Sequence, residues 1–98
     1  MKHKINLRSL VGDFAENKET AKKIRLEEIM PSLSRGDEVR IDFLGVSGAT
    51  QSFIHALISD PIREFSDVAY DKLVYENAND EIKEIIGIVY RYMQESIS

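Results

Sequence analysis

The sequence predicts a small α/β domain, one unit over residues 1–98, with a mixed or mostly parallel sheet of about four strands packed with three to four helices. Three observations carry that prediction. Short stretches of period-two apolar alternation take turns with longer stretches of helical periodicity, the order that a layered α/β fold requires. The 98 residues suffice for one core and contain neither an internal repeat nor a low-complexity linker. The composition, 43% apolar and 31% charged, can fill that core and lacks the low hydrophobicity and high net charge of a disordered chain.

Each element has its own warrant. Ile5, Leu7 and Val11 alternate with polar residues as a half-buried strand does, until Gly12-Asp13 breaks the pattern. Helix formers dominate from Lys18 to Met30, with Leu26, Ile29, Met30 and Leu33 on an i, i+3, i+4, i+7 stripe. Ala21 and Ile24 fall off that stripe, which implies broader burial or a shift of register. Pro31 should kink or end the helix, because proline lacks a backbone donor and clashes with the preceding turn. Arg35-Gly36-Asp37 reads as a turn.

Val39, Ile41 and Phe43 then point to one face of a second strand, with Arg40 and Asp42 on the other. Gly45, Ser47 and Gly48 form a loop, and Gln51 to Ser59 reads as a helix burying Phe53, Ile54, Leu57 and Ile58. Asp60-Pro61 should open a second short helix, since proline suits a first helical position. A third strand spans Lys72 to Glu76. Asn77 or Asn79 caps a last helix whose stripe of Ile82, Ile85, Ile86, Val89 and Met93 is the clearest periodicity in the chain. Three strand–helix pairs imply mostly parallel strands joined by right-handed crossovers.

Charge and residue usage exclude several function classes. Thirteen basic against seventeen acidic residues give a net charge of −4, the wrong sign for a general nucleic-acid or anionic-membrane binder. Lys18, Lys22, Lys23 and Arg25 are interleaved with Glu16, Glu19, Glu27 and Glu28, the pattern of a solvated helix face. The absence of cysteine rules out disulfides and thiolate chemistry. MKHKINLRSL is too interrupted for a signal peptide and no apolar run is long enough to span a membrane, so a cytoplasmic location is expected. His3 and His55 lack the spacing of a metal-binding pair, and no phosphate-binding loop or Gly-x-Ser-x-Gly elbow is present; no metal or cofactor is expected.

The chemistry that remains sits in RIDFLGVSGATQSF, residues 40 to 53. Asp42 ends an apolar strand, where its carboxylate would accept bonds from amides of the following turn. Thr50 and Ser52 stand at a loop-to-helix junction, where a hydroxyl caps the helix. An exposed hydroxyl there is also a candidate phosphoacceptor, because added negative charge is favoured at a helix start.

The run VRIDFLGVSGATQSFIHALI resembles the signature of the STAS-like domains of unknown function, small bacterial and phage-associated domains, through Val39, Ile41, Asp42, Phe43, Gly45, Val46, Ser52 and Phe53. That family is similar in turn to the anti-sigma-factor antagonists, in which a serine at a helix start is phosphorylated by a partner kinase. Aligning the strand ends puts Ser52 at the phosphoacceptor and Thr50, Gln51 and Phe53 at the neighbouring positions. Three of these differ from the antagonist's Asp-Ser-Ser-Gly.

The resemblance implies a non-enzymatic, regulatory protein-interaction module, docking a histidine-kinase-like ATPase through the loop and helix start at 47–58. Asp42, Ser47, Gln51 and Phe53 are its candidate docking residues, and Ser52 and Thr50 its candidate phosphoacceptors. Two alternatives stay open: a small nucleotide-binding or enzymatic subunit using Asp42 and the loop hydroxyls, and a homodimer formed through Tyr70, Tyr75, Tyr90 and Tyr92.

Overall fold

The structure is a computed structural model and describes residues 1–97. Strand β1 (Lys2–Asn6) pairs in parallel with β3 (Glu38–Asp42), and β3 pairs in parallel with β5 (Leu73–Glu76), giving the order β1-β3-β5. A second, short parallel ladder joins β2 (Phe14–Ala15) to β4 (Gly48–Ala49). The parallel α/β expectation therefore holds. Strand register explains the two faces. Ile5 pairs with Ile41 and Val39 with Leu73 on the helix-covered face, and all four are buried.

The opposite face carries Lys4, Arg40, Asp42 and Glu76 in register. Arg40 sits at its centre and donates from Nε to Glu38 and from Nη1 to Glu76, both at 2.8 Å. Parallel sheets are usually covered by helices on both faces. Here a ladder of opposite charges occupies the second.

The residues expected to extend the first strand instead turn into a short helix, α1 (Leu7–Val11), with Leu7 buried at its start. The next helical run has three parts: α2 (Lys18–Ile24), a π-helical turn (Arg25–Ile29) and α3 (Met30–Ser34). Asn17 caps α2 by accepting the amides of Glu19 and Thr20. In the π turn the Met30 amide donates to the Arg25 carbonyl, five residues back. The buried positions Ala21, Ile24, Ile29 and Leu33 are thus spaced three, five and four apart, and the step of five is the π turn. This is the register shift that Ala21 and Ile24 demanded. It leaves Leu26, expected in the apolar stripe, 53% exposed.

Both prolines correct the expected boundaries. Pro31 does not end the helix, because the wide turn precedes it and places it in the first turn of α3, where a missing amide is tolerated. Pro61 lies inside α4 (Gln51–Phe65), which runs through the break expected at Asp60-Pro61. Leu57, Ile58 and Ile62 are fully buried on either side of it, and such tertiary packing supplies most of a helix's stability. A short α5 (Asp67–Lys72) follows, and α6 (Asp80–Ile97) closes the chain's helical layer. Helix α4 packs against both α2 and α6, and its Phe53, Ile54, Leu57, Ile58 and Ile62 anchor the core.

The tyrosines do not form one exposed set. Tyr75 and Tyr90 are partly buried with their hydroxyls 2.7 Å apart, and Tyr70 leans on the Tyr90 ring at 5.2 Å between centroids. Tyr92 is exposed and meets His55 edge-on.

Candidate interaction site at the strand ends

Strand β3 delivers the chain into its polar loop through Asp42, which braces the turn as its position implies. One carboxylate oxygen accepts from the Asn77 side chain and from the Leu44 amide, both at 2.9 Å. The other lies 3.4 Å from the Lys4 ammonium. The Asn77 side-chain bond, then the Leu44 amide bond, hold the Asp42 carboxyl below the ordinary carboxylate range. The Phe43 amide donates to the Glu76 carbonyl, so the β3–β5 pairing continues one residue past the strand.

Ser47 is tied from two sides. Its amide (2.7 Å) and hydroxyl (2.9 Å) both donate to the Asp13 carbonyl, and its own carbonyl accepts from the Asn79 side chain at 2.8 Å. Asn79 at the same time accepts the Ile82 amide and so caps α6. Thr50 donates its amide to Ala15 and accepts the Phe53 amide on its hydroxyl at 3.0 Å. Thr50 is therefore the cap of α4. Ser52 is not; it stands exposed at the second residue of the helix.

The loop glycines make room for the preceding β–α–β segment. At Gly45 φ is 84°, a left-handed conformation that side chains resist, and a Cβ would lie 2.8 Å from Arg8 Cδ. At Gly48 a Cβ would lie 2.9 Å from the Phe14 ring. Arg8 and Phe14 therefore lie on the loop because those two positions lack side chains.

The candidate residues divide by accessibility. Ser47, Gln51 and Ser52 are exposed, and Thr50 is half-buried. Asp42 is nearly buried, so it shapes the surface more than it forms it. Phe53, expected to dock a partner, is fully buried in the core and presents no surface. The exposed apolar side chains around the loop are Leu44, 66% exposed, with Leu10 and Phe14. Ser52 borders a hollow of about 330 Å³ lined also by Lys18, Gln51, His55 and Ala56.

Sequence reasoning offered Asn77 or Asn79 as the cap of α6, and Asn79 is that cap. It missed that Asn77 reaches Asp42 and Asn79 reaches Ser47, and it missed Arg8, Phe14, Lys18 and Leu44. The two loop glycines and the pair of asparagines before α6 were the available signals, but spacing alone does not say what lies against them. Among the described residues no group of three or more His, Asp or Glu could hold a metal ion, and no helix is long and apolar enough to cross a membrane.

Residues 20–83, about two thirds of the chain, match a family described as a STAS-like domain of unknown function (DUF4325). The chain belongs to this family. No curated protein and no solved structure matches it. The family match takes in Asp42, Ser47, Thr50, Gln51, Ser52 and both asparagines of this STAS-like domain. Arg8, Phe14 and Lys18 lie before the matched segment, so the residues pressed onto the loop lie outside the part by which the family is recognised.

Proposed function

We propose that this STAS-like domain is a non-enzymatic regulatory module that docks a protein partner over residues 47–58, in the manner of an anti-sigma-factor antagonist. The observation that carries this reading is the placement of Ser52. Its hydroxyl is exposed at the start of a 15-residue helix, beside Lys18 and His55, next to a loop whose polar groups already have partners. A phosphoryl group on that hydroxyl would gain from the positive end of α4 and from the Lys18 ammonium. The likeness to antagonists points to a histidine-kinase-like ATPase as the partner and the source of the phosphoryl group. Exposed Leu44, on the same loop, and Phe14, packed against Gly48, supply apolar contact area. The hydrogen bonds on Asp42 support a bracing role for it over acid–base chemistry.

The test is quantitative affinity purification from the native host using wild type, Ser52→Asp and Leu44→Ser. Wild type is expected to retain a partner, Leu44→Ser to lose most of it, and Ser52→Asp to change its recovery at least fivefold. Equal recovery with all three would move the docking surface elsewhere, and recovery of no partner by wild type would sink the functional reading.

A further inference from the structure

The fold sorts charges that the sequence interleaves. Between Glu16 and Glu28 basic and acidic residues alternate, yet the structure sends them to different sides of α2 and the π turn. Lys18 lines the hollow beside Ser52, and Arg25 turns toward α4, where its Nη1 donates to the Ala56 carbonyl at 3.0 Å. Glu16, Glu27 and Glu28 line the other side, which faces α1 and β2, and Lys23 is the single ammonium among them.

That side is a trough. Two hollows of about 380 and 260 Å³ adjoin along it and share Leu10 and Thr20 in their walls. The wall opposite α2 is apolar: Leu10 is 46% and Phe14 44% exposed, with Val11 half-buried. This wall is preformed. Gly12, at a φ of 77°, turns the chain out of α1, and the β2–β4 ladder fixes Phe14 against Gly48. From Asn17 to Glu28 the facing wall rises about 16 Å, the span of a helix of about eleven residues.

The rim has an acidic surplus. Glu28 meets His3 Nε2 at 2.8 Å through one oxygen, and Glu16 and Glu27 make no ion pair with a described residue. Three carboxylates against one ammonium favour a cationic occupant, and an apolar wall inside a charged rim is what an amphipathic helix needs. This chain's own long amphipathic helices, α4 and α6, bury their apolar stripes in the core, so a second copy offers no such segment. We infer that the trough docks a basic amphipathic helical segment of a partner protein, its apolar side chains on Leu10, Val11 and Phe14 and its lysines or arginines on Glu16, Glu27 and Glu28. The inference stands without modification of Ser52.

The experiment is an NMR titration of the full chain with three eleven-residue peptides. The first is Ac-Lys-Leu-Ala-Lys-Leu-Leu-Lys-Ala-Leu-Lys-Ala-NH2, whose leucines share one helical face. The second has the same composition in an order that spreads the leucines around the helix, and the third replaces every Lys with Glu. Saturable shifts of the Leu10, Val11 and Thr20 methyls and of the Phe14 ring are expected with the first alone. Leu10→Ser, Glu16→Lys and Glu27→Lys, all at exposed positions, should each weaken it at least fivefold without changing the circular dichroism spectrum. Ser52→Asp should leave the affinity within twofold. Four results would overturn the inference: no saturable shift at the trough, binding of the second or third peptide within twofold of the first, a fivefold loss with Ser52→Asp, or shifts that follow protein concentration alone. Binding of the second peptide would mark a general attraction of cations to an acidic protein. Loss with Ser52→Asp would place the peptide on the loop surface, and the concentration dependence would mark a contact with a second copy.

Discussion

Truncating Ile24 and Leu26 in separate variants decides whether the π turn sets the register of the helix that carries it. In an uninterrupted helix Leu26, Ile29, Met30 and Leu33 share a face, and Ile24 stands off it. With the π turn in place, Ile24 is 4% exposed and packs in the core, whereas Leu26 is 53% exposed. Removing a buried isoleucine side chain to the Cβ costs about 2–5 kcal/mol, and substitution at an exposed position usually costs about 0.5 kcal/mol or less. For a domain of this size each kcal/mol lowers Tm by roughly 4–8 °C. Ile24→Ala should therefore lower Tm by at least about 8 °C and Leu26→Ala by less than about 4 °C. Urea denaturation at 25 °C, followed by circular dichroism, supplies the same comparison as free energies. Equal costs for the two variants would refute the π-turn register.

A deletion sharpens the same point. Removing Leu26 shortens the step from Ile24 to Ile29 from five residues to four, which lets the helix close as an α-helix with Ile24, Ile29 and Leu33 still facing the core. An α-helix at this place would press the Pro31 ring against the carbonyl four residues back, at a cost of about 3 kcal/mol. The deletion therefore belongs in a Pro31→Ala background, where its stability should stay within about 1 kcal/mol of the Pro31→Ala parent. A loss above about 3 kcal/mol, the cost expected of a broken core contact, would show that the turn does more than shift register.

Three further outcomes are expected. Thr50→Ala removes the α4 cap and should cost about 1 kcal/mol in a urea melt, while Ser52→Ala should stay within about 0.5 kcal/mol. Tyr75→Phe or Tyr90→Phe alone strands a partly buried hydroxyl and should cost about 1–3 kcal/mol, whereas the double variant should cost less than the two losses added, as a double-mutant cycle will read. Asp42 has a folded-state pKa below its ordinary value of 3.8, so its contribution is present above that value and is lost as pH falls through the lower folded value. Asn77→Ala removes the hydrogen bond that depresses it most, and carboxyl ¹³C titration should show the Asp42 pKa rising toward 3.8.

The parts of the structure set by apolar spacing were readable from the residues. Val39, Ile41 and Phe43 face the core as their alternation implies, and Ile82, Ile86, Val89 and Met93 bury one side of α6. The turn at Arg35-Gly36 and the brace at Asp42 were readable too, because they depend on neighbours in sequence. The prolines were misread because local propensity was overridden by contacts made elsewhere. The buried flanks of Pro61 hold α4 together, and a π turn admits Pro31. Phe53 was assigned to the surface by its place in a motif, although its spacing with Ile54, Leu57 and Ile58 marked it as core. Arg8 and Phe14 lie more than 30 residues before the glycines they cover. Only the parallel pairing of β2 with β4 brings Phe14 onto Gly48.

That pairing also bears on how a charge at Ser52 could act. The loop before α4 is fastened to Asp13 and Ala15 on one side and to Asn79 on the other. Each of the Ser47 and Asn79 bonds contributes about 0.5–1.5 kcal/mol net, so remodelling the loop means losing several at once. A charge placed beside an exposed helix start is worth about 0.3–1 kcal/mol through the helix dipole. The second quantity does not outweigh the first. Modification of Ser52 should therefore change the charge of the docking surface while leaving its shape intact, and amide exchange of residues 43–50 should be the same in wild type and Ser52→Asp. Faster exchange across that loop in the variant would show a conformational switch in its place.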